Sequence, residues 1–143
     1  MKKSVFVAAL AAVIMGSCGS TKTATDVASL DGEWNIVEVE GNSVKPGDSE
    51  NVPFLGFKTA ENRLYGNTGC NLLTGSIGGN IKKGEIDFSQ TGSTRMMCAD
   101  MKVERMVLDA LDKASHFTID GGKKMTLSDK GGNAVVVLKK KSY

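Results

Sequence analysis

Glycine limits what this chain can fold into more than any other residue. From residue 30 onward it recurs, helped by Asn and Asp, so often that the β-forming runs between turn signals are five to eight residues long, with one exception. Alternating runs of that length are strands and are too short for packed helices. Eight of them can be read: residues 33–40 (EWNIVEVE), 53–59 (PFLGFKT), 62–68 (NRLYGNT), 70–77 (CNLLTGSI), 85–89 (EIDFS), 115–120 (SHFTID), 123–128 (KKMTLS) and 134–140 (AVVVLKK). In 85–89 the alternation puts Ile86 and Phe88 on one face, and in 115–120 it pairs Phe117 with Ile119 and turns His116 outward. Gly121-Gly122 between two such runs predicts a tight hairpin, because a type I′ turn needs positive φ at both central residues.

The exception is residues 99–114. Val103, Met106, Val107, Ala110, Leu111 and Ala114 recur at helical spacing, while Lys102, Glu104, Arg105, Asp109, Asp112 and Lys113 fill the opposite side. That is one amphipathic helix, with Asp100 placed to cap its start. The expected fold is mainly β: about eight antiparallel strands closing into a lipocalin-like or cracked barrel, with the helix inserted after the fifth strand and covering an opening or a face.

The first thirty residues speak of location. Lys2 and Lys3 precede Val5–Met15, an uncharged apolar run of eleven residues. A bilayer-spanning helix needs about 20 residues, so this reads as a secretory leader. It ends in Met15-Gly16-Ser17-Cys18, which resembles a bacterial lipobox, an apolar residue and two small ones ahead of the cysteine that is lipidated. The expected organisation is a signal peptide over 1–17, lipidation at Cys18, a flexible tether over 18–29 and one domain over 30–143. The leader holds two of the 18 basic residues and none of the 16 acidic ones, so the processed chain is formally neutral. Neutrality gives no electrostatic footprint for nucleic acid. Lys139-Lys140-Lys141 reads as a solvated strand end.

In an exported protein disulfides persist. With Cys18 taken by lipid, the arithmetic pairs Cys70 with Cys98, closing a staple across the irregular stretch at 89–99. The same residues allow other chemistry. Met96, Met97, Cys98 and Met101 are soft ligands of the kind that select Cu(I), though methionines are more often core filler, which is the reading adopted. Cys98 as a nucleophile would need a base and a free thiol. His116 is the single histidine, and the carboxylates show no acid/base spacing. No catalytic residue, metal site or cofactor is therefore assigned.

Three stretches together carry a resemblance: residues 30–41 (LDGEWNIVEVEG), 66–77 (GNTGCNLLTGSI) and 92–100 (GSTRMMCAD), the last running into the amphipathic helix. They resemble the META domain, the HslJ-like family of envelope lipoproteins, over roughly residues 30–140. Ile77 stands where the family often has an aromatic. The resemblance implies a small β-rich domain with one helix and an association with envelope stress, and it implies no known reaction. Gly69, Asn71, Gly75, Thr94 and Arg95 fall in its motifs. Asn71 and Thr94 can bond nearby backbone, Gly69 and Gly75 suit tight geometry, and the Arg95 fork can pin the Cys98 loop or hold an anionic ligand. The expected role is a non-enzymatic accessory lipoprotein binding an envelope protein, exported to the outer membrane and facing the periplasm, its lipid the membrane contact. The alternative is a carrier of a small apolar ligand or lipid tail in the barrel interior. Trp34, Phe57, Phe88 and Phe117 decide between them, since a filled interior leaves no room for cargo.

Overall fold

The computed structural model describes residues 27–143. The leader, Cys18 and the tether through residue 26 lie outside the described residues. A single helical turn, α1 (Val27–Leu30), precedes β1 (Gly32–Val39), and the two-residue β2 (Asn42–Ser43) folds back on β1. There follow β3 (Phe54–Lys58), β4 (Arg63–Asn67), β5 (Leu72–Ser76), β6 (Thr91–Ser93), α2 (Lys102–Lys113), β7 (His116–Asp120), β8 (Lys124–Ser128) and β9 (Ala134–Lys140). The strands form one antiparallel sheet in the order β6-β5-β4-β3-β1-β9-β8-β7, with β2 beside β1.

The sheet is open, not a closed barrel. Its edges are β6 and β7, and residues 84–88 lie between them. Asp87 N donates to Gly78 O (3.2 Å) on the β5 side, while Ile86 N donates to Ser115 O (3.0 Å) and Phe117 N to Gly84 O (2.9 Å) on the β7 side. These isolated bridges stitch the gap without completing a strand. The sequence reading of 85–89 as a strand is corrected accordingly. Its parity holds, since Ile86 and Phe88 are buried, but the ladder does not form. The irregular stretch at 89–99 in turn yields β6, and with the short β2 also present the helix follows the sixth strand.

Alternation fills the core-facing side of the sheet. Trp34, Ile36, Leu55, Phe57, Leu64, Phe117, Ile119, Met125, Leu127, Val136 and Leu138 are buried and belong to one hydrophobic cluster with Phe88. Helix α2 packs on β9 and β1 and buries Val103, Val107, Ala110 and Leu111. Its N-cap is Met101, and Asp100 sits one residue earlier, its Oδ1 accepting from Lys102 N (2.8 Å). Leu30 is buried and its carbonyl accepts from the Trp34 indole (2.8 Å), so the largest core side chain leaves no unmet donor. The β7–β8 turn is as expected: Gly121 and Gly122 both have positive φ, and Lys123 N donates to Asp120 O (3.1 Å).

Gly75 is required for a different reason. A Cβ there would lie 2.7 Å from the Thr91 Cα and closer still to the Gln90 carbonyl oxygen, so β5 and its neighbour approach only because the side chain is absent. Gly92, the residue after Thr91, faces open space. Gly75→Ala is expected to lower stability by about 1–3 kcal/mol through overpacking, and Gly92→Ala to change it by less than about 0.5 kcal/mol. Urea midpoints of the two variants measure the contrast.

Candidate functional site

The corner joining β4 to β5 is residues Thr68–Asn71. Chain reversal there needs Gly69, whose φ is +120°, and the Asn67 side chain accepts from its N–H (2.8 Å). Asn51 N donates to the Gly69 carbonyl (2.9 Å), tying in the segment before β3. Thr68 N donates to the Asn71 carbonyl (3.0 Å), and the other donors of the corner point inward, where water does not reach.

They converge on one carboxylate. Glu104, on the first turn of α2, is 2 % exposed. Its Oε2 accepts from Thr68 Oγ1 (2.7 Å), Cys70 N (3.0 Å) and Asn71 N (3.2 Å), and its Oε1 accepts from Asn71 Nδ2 (3.1 Å). The sequence reading set Glu104 on the solvent side of the helix, and the structure reverses this. A signal was there: Glu104 is three residues before Val107 and seven before Leu111, so it lies on the apolar stripe.

Asn71 extends the network to the second motif. Its Oδ1 accepts from Thr94 Oγ1 (2.8 Å) and Met96 N (2.6 Å), and its Nδ2 also donates to Met96 O (3.1 Å). Thr94 is held twice more, its N donating to Leu72 O and its Oγ1 accepting from Leu72 N, both at 3.0 Å. Cys70 and Cys98 are joined by a disulfide with Cα atoms 6.0 Å apart. In the chain-entropy account, closing a loop of 28 residues contributes roughly 3–4 kcal/mol. Residues 94–98 are thus fixed at Thr94, Met96 and Cys98.

Gly69, Asn71, Thr94, Cys70 and Cys98 are brought together as one knot, and Gly75 lies further along β5. Arg95 is not part of the knot. It is exposed and makes no hydrogen bond or ion pair among the described residues, so Asn71 and the disulfide hold the loop that Arg95 was expected to pin. The methionines also depart from expectation. Met97 is 88 % exposed and Met96 55 %, so neither is core filler. Leu72, which brackets Thr94 through its backbone, is 56 % exposed.

The chemistry of this arrangement is static. All four donors spend themselves on Glu104, the Cys98 sulfur is in the disulfide and no thiolate is left to join the methionines. His116 lies on the exposed face of β7, its Nδ1 paired with Ser115 Oγ (2.8 Å). Beside Leu72 a shallow cleft of about 560 Å³ on the outer face of the sheet is lined by Phe54, Arg63, Tyr65, Thr74 and Thr94. Phe54 and Tyr65 meet edge to face there at 6.3 Å.

Fold and knot together define a β-rich domain with a motif-built, disulfide-closed corner. The family model of the META domain matches residues 26–142, and the chain belongs to that family. No match was found among curated proteins. Among solved structures, an NMR structure of a protein from Burkholderia xenovorans superposes with a TM-score of 0.65 at 19 % identity, covering 100 % of both chains. A crystal structure of a DUF4847 family protein from Bacteroides vulgatus superposes with a TM-score of 0.55 at 15 % identity, over 79 % of this chain and 96 % of that one. These likenesses are of fold.

The carboxyl of Glu104 titrates below its ordinary value of 4.5: burial, the strongest single influence, pushes it up, and the bonds from Thr68, Cys70 and Asn71 together more than reverse this. Because the folded-state value is the lower one, the stability this group contributes is complete above pH 4.5 and is lost as pH falls through the folded-state value. Glu104→Gln keeps the size and removes the charge, and is expected to cost about 2–3 kcal/mol at neutral pH. The gap between wild type and variant should narrow toward about pH 3.5, which denaturation at the two pH values measures.

Proposed function

We propose that the protein is a lipid-anchored, non-enzymatic accessory module of the envelope, held at the outer membrane facing the periplasm, which binds an envelope protein through the surface formed by Leu72, Met96 and Met97. The observation that carries this reading is Met97: a large apolar side chain 88 % exposed on a loop that a disulfide and the Asn71 amide hold still. Exposed apolar groups cost solubility, and a preordered loop presents them with little conformational entropy left to lose on binding. Methionine adapts its shape to the opposing surface.

The interior speaks against the carrier alternative. Trp34, Phe57, Phe88 and Phe117 are all buried in one packed cluster, which fills the space a lipid tail would need. The lipid anchor rests on the leader and the Met15-Gly16-Ser17-Cys18 sequence.

The two halves of the proposal are tested separately. Cys18→Ala is expected to move the protein from the membrane to the soluble periplasmic fraction and to remove the acyl mass; a variant that stays on the membrane, with no acyl mass on the wild type, refutes the anchor. For binding, a photoreactive amino acid at position 97 is expected to give one discrete adduct in intact cells, and the same group at position 130, in the exposed β8–β9 turn, to give none. Identical patterns from both positions would mean that this face has no specific partner.

A further inference from the structure

Two stretches distant in sequence, Lys123-Lys124 and Lys139-Lys140-Lys141, meet at one end of the sheet. Lys124 starts β8 and stands in register opposite Lys139 on β9. With Gly122 and Ser142 these lysines line a shallow groove of about 610 Å³. Two of them are engaged. Lys140 donates to the Asp31 carbonyl and sits 4.4 Å from the Trp34 ring, and Lys141 pairs with Glu33 (2.8 Å). Lys123, Lys124 and Lys139 are exposed and have no ion pair among the described residues. The carboxylates nearby are Asp31, Glu33 and Asp120, the last in register with Lys124 across β7–β8.

This segregation works against stability. Like charges directly opposite each other across a strand pair repel, and a chain that is formally neutral without its leader has acids to spare for such positions. Aromatic surface adjoins the lysines. The Lys141 ammonium lies 5.7 Å from the Phe54 ring and 5.5 Å from that of Tyr143, which is almost wholly exposed. The chain also arrives at this end. Gly32 opens β1 immediately after Asp31, against the Lys140 side chain.

We propose that this lysine end is a docking surface for an anionic phospholipid bilayer. The unpaired ammonium groups stand on flexible stems, and no buried polar side chain lines the groove to orient a single small anion. Such a layout suits a diffuse negative surface, with Tyr143 suited to the headgroup level. The orientation part of this inference rests on the anchored reading given above, whereas the charge argument stands without it.

The test is co-flotation of the Cys18→Ala protein, purified from the soluble periplasmic fraction with its leader removed, with vesicles of phosphatidylethanolamine containing phosphatidylglycerol. Lys124→Gln/Lys139→Gln is expected to weaken binding by about 25-fold, at roughly fivefold per lysine near the surface, and Lys45→Gln/Lys130→Gln, at the other end of the strands, to leave it unchanged. Raising the salt to about 0.5 M should erase most of the difference. The lysine variant should unfold at the same temperature or higher, since a repulsion is removed. Equal binding by both double variants, or equal binding to vesicles lacking phosphatidylglycerol, overturns the proposal. So does lysine-dependent binding of inorganic phosphate that the vesicles do not displace, which would assign the groove to a discrete anion. Failure of the anchor is seen in cells, as a wild type without acyl mass whose Cys18→Ala variant stays on the membrane, and failure of docking is seen on vesicles, so the two are read apart.

Discussion

A single buried carboxylate organises this domain. Moving a carboxylate out of water costs several kcal/mol, and no lysine or arginine among the described residues neutralises Glu104. Hydrogen bonds from the Thr68 hydroxyl, two backbone N–H groups and the Asn71 amide offset that cost. The dependence runs both ways. The Thr68–Asn71 corner turns its donors inward because Gly69 takes a positive φ, and without an acceptor there those donors would be left buried and unmet. Helix α2 therefore cannot shift along the sheet without breaking the corner. The corner cannot relax without releasing Asn71, and with it Thr94 and Met96. Among the described residues no buried side-chain nitrogen or oxygen lacks a partner, which is the condition under which a polar network in a core rigidifies it.

What the sequence made legible follows from which forces are local. Alternation located the strands because one face of each meets the core, and Gly121-Gly122 located a hairpin because its backbone conformation is a property of those two residues. The pairing of residues 84–88 was not legible: Ile86 and Phe88 bury as the period demands, but whether a ladder forms depends on what stands beside them. Strand β6 was missed because Thr91–Ser93 has no apolar alternation, its position being set by the close approach that Gly75 allows. Within the site, the disulfide could be read from cysteine arithmetic and the motif residues from resemblance. Glu104 was missed because its charge outweighed its place on the apolar stripe. Met96 and Met97 were read as core since methionine usually is, and a loop held by its backbone sends side chains outward whatever their polarity.

Strand register sets the two ends of the sheet apart. Gly32, Phe57, Arg63, Ser76, Lys124 and Lys140 lie toward one end, while Val39, Asn67, Leu72 and Ser128 lie toward the other. The chain joins the domain at the first end, where the lysines gather. The knot around Glu104 sits at the second and holds Met96 and Met97 outward. A tether fixed to a membrane leaves a domain free to tumble, so that an apolar loop would face the bilayer as often as it faced away. If the chain is anchored through Cys18 as proposed, unpaired lysines at the first end would bias that tumbling, drawing one end down to the headgroups and leaving the far end presented. On this view the repulsion between Lys124 and Lys139 and the exposure of Met97 are two costs of one arrangement, carried at opposite ends of the same strands. The rigid knot lets the second cost be borne without the loop folding back to hide its methionines.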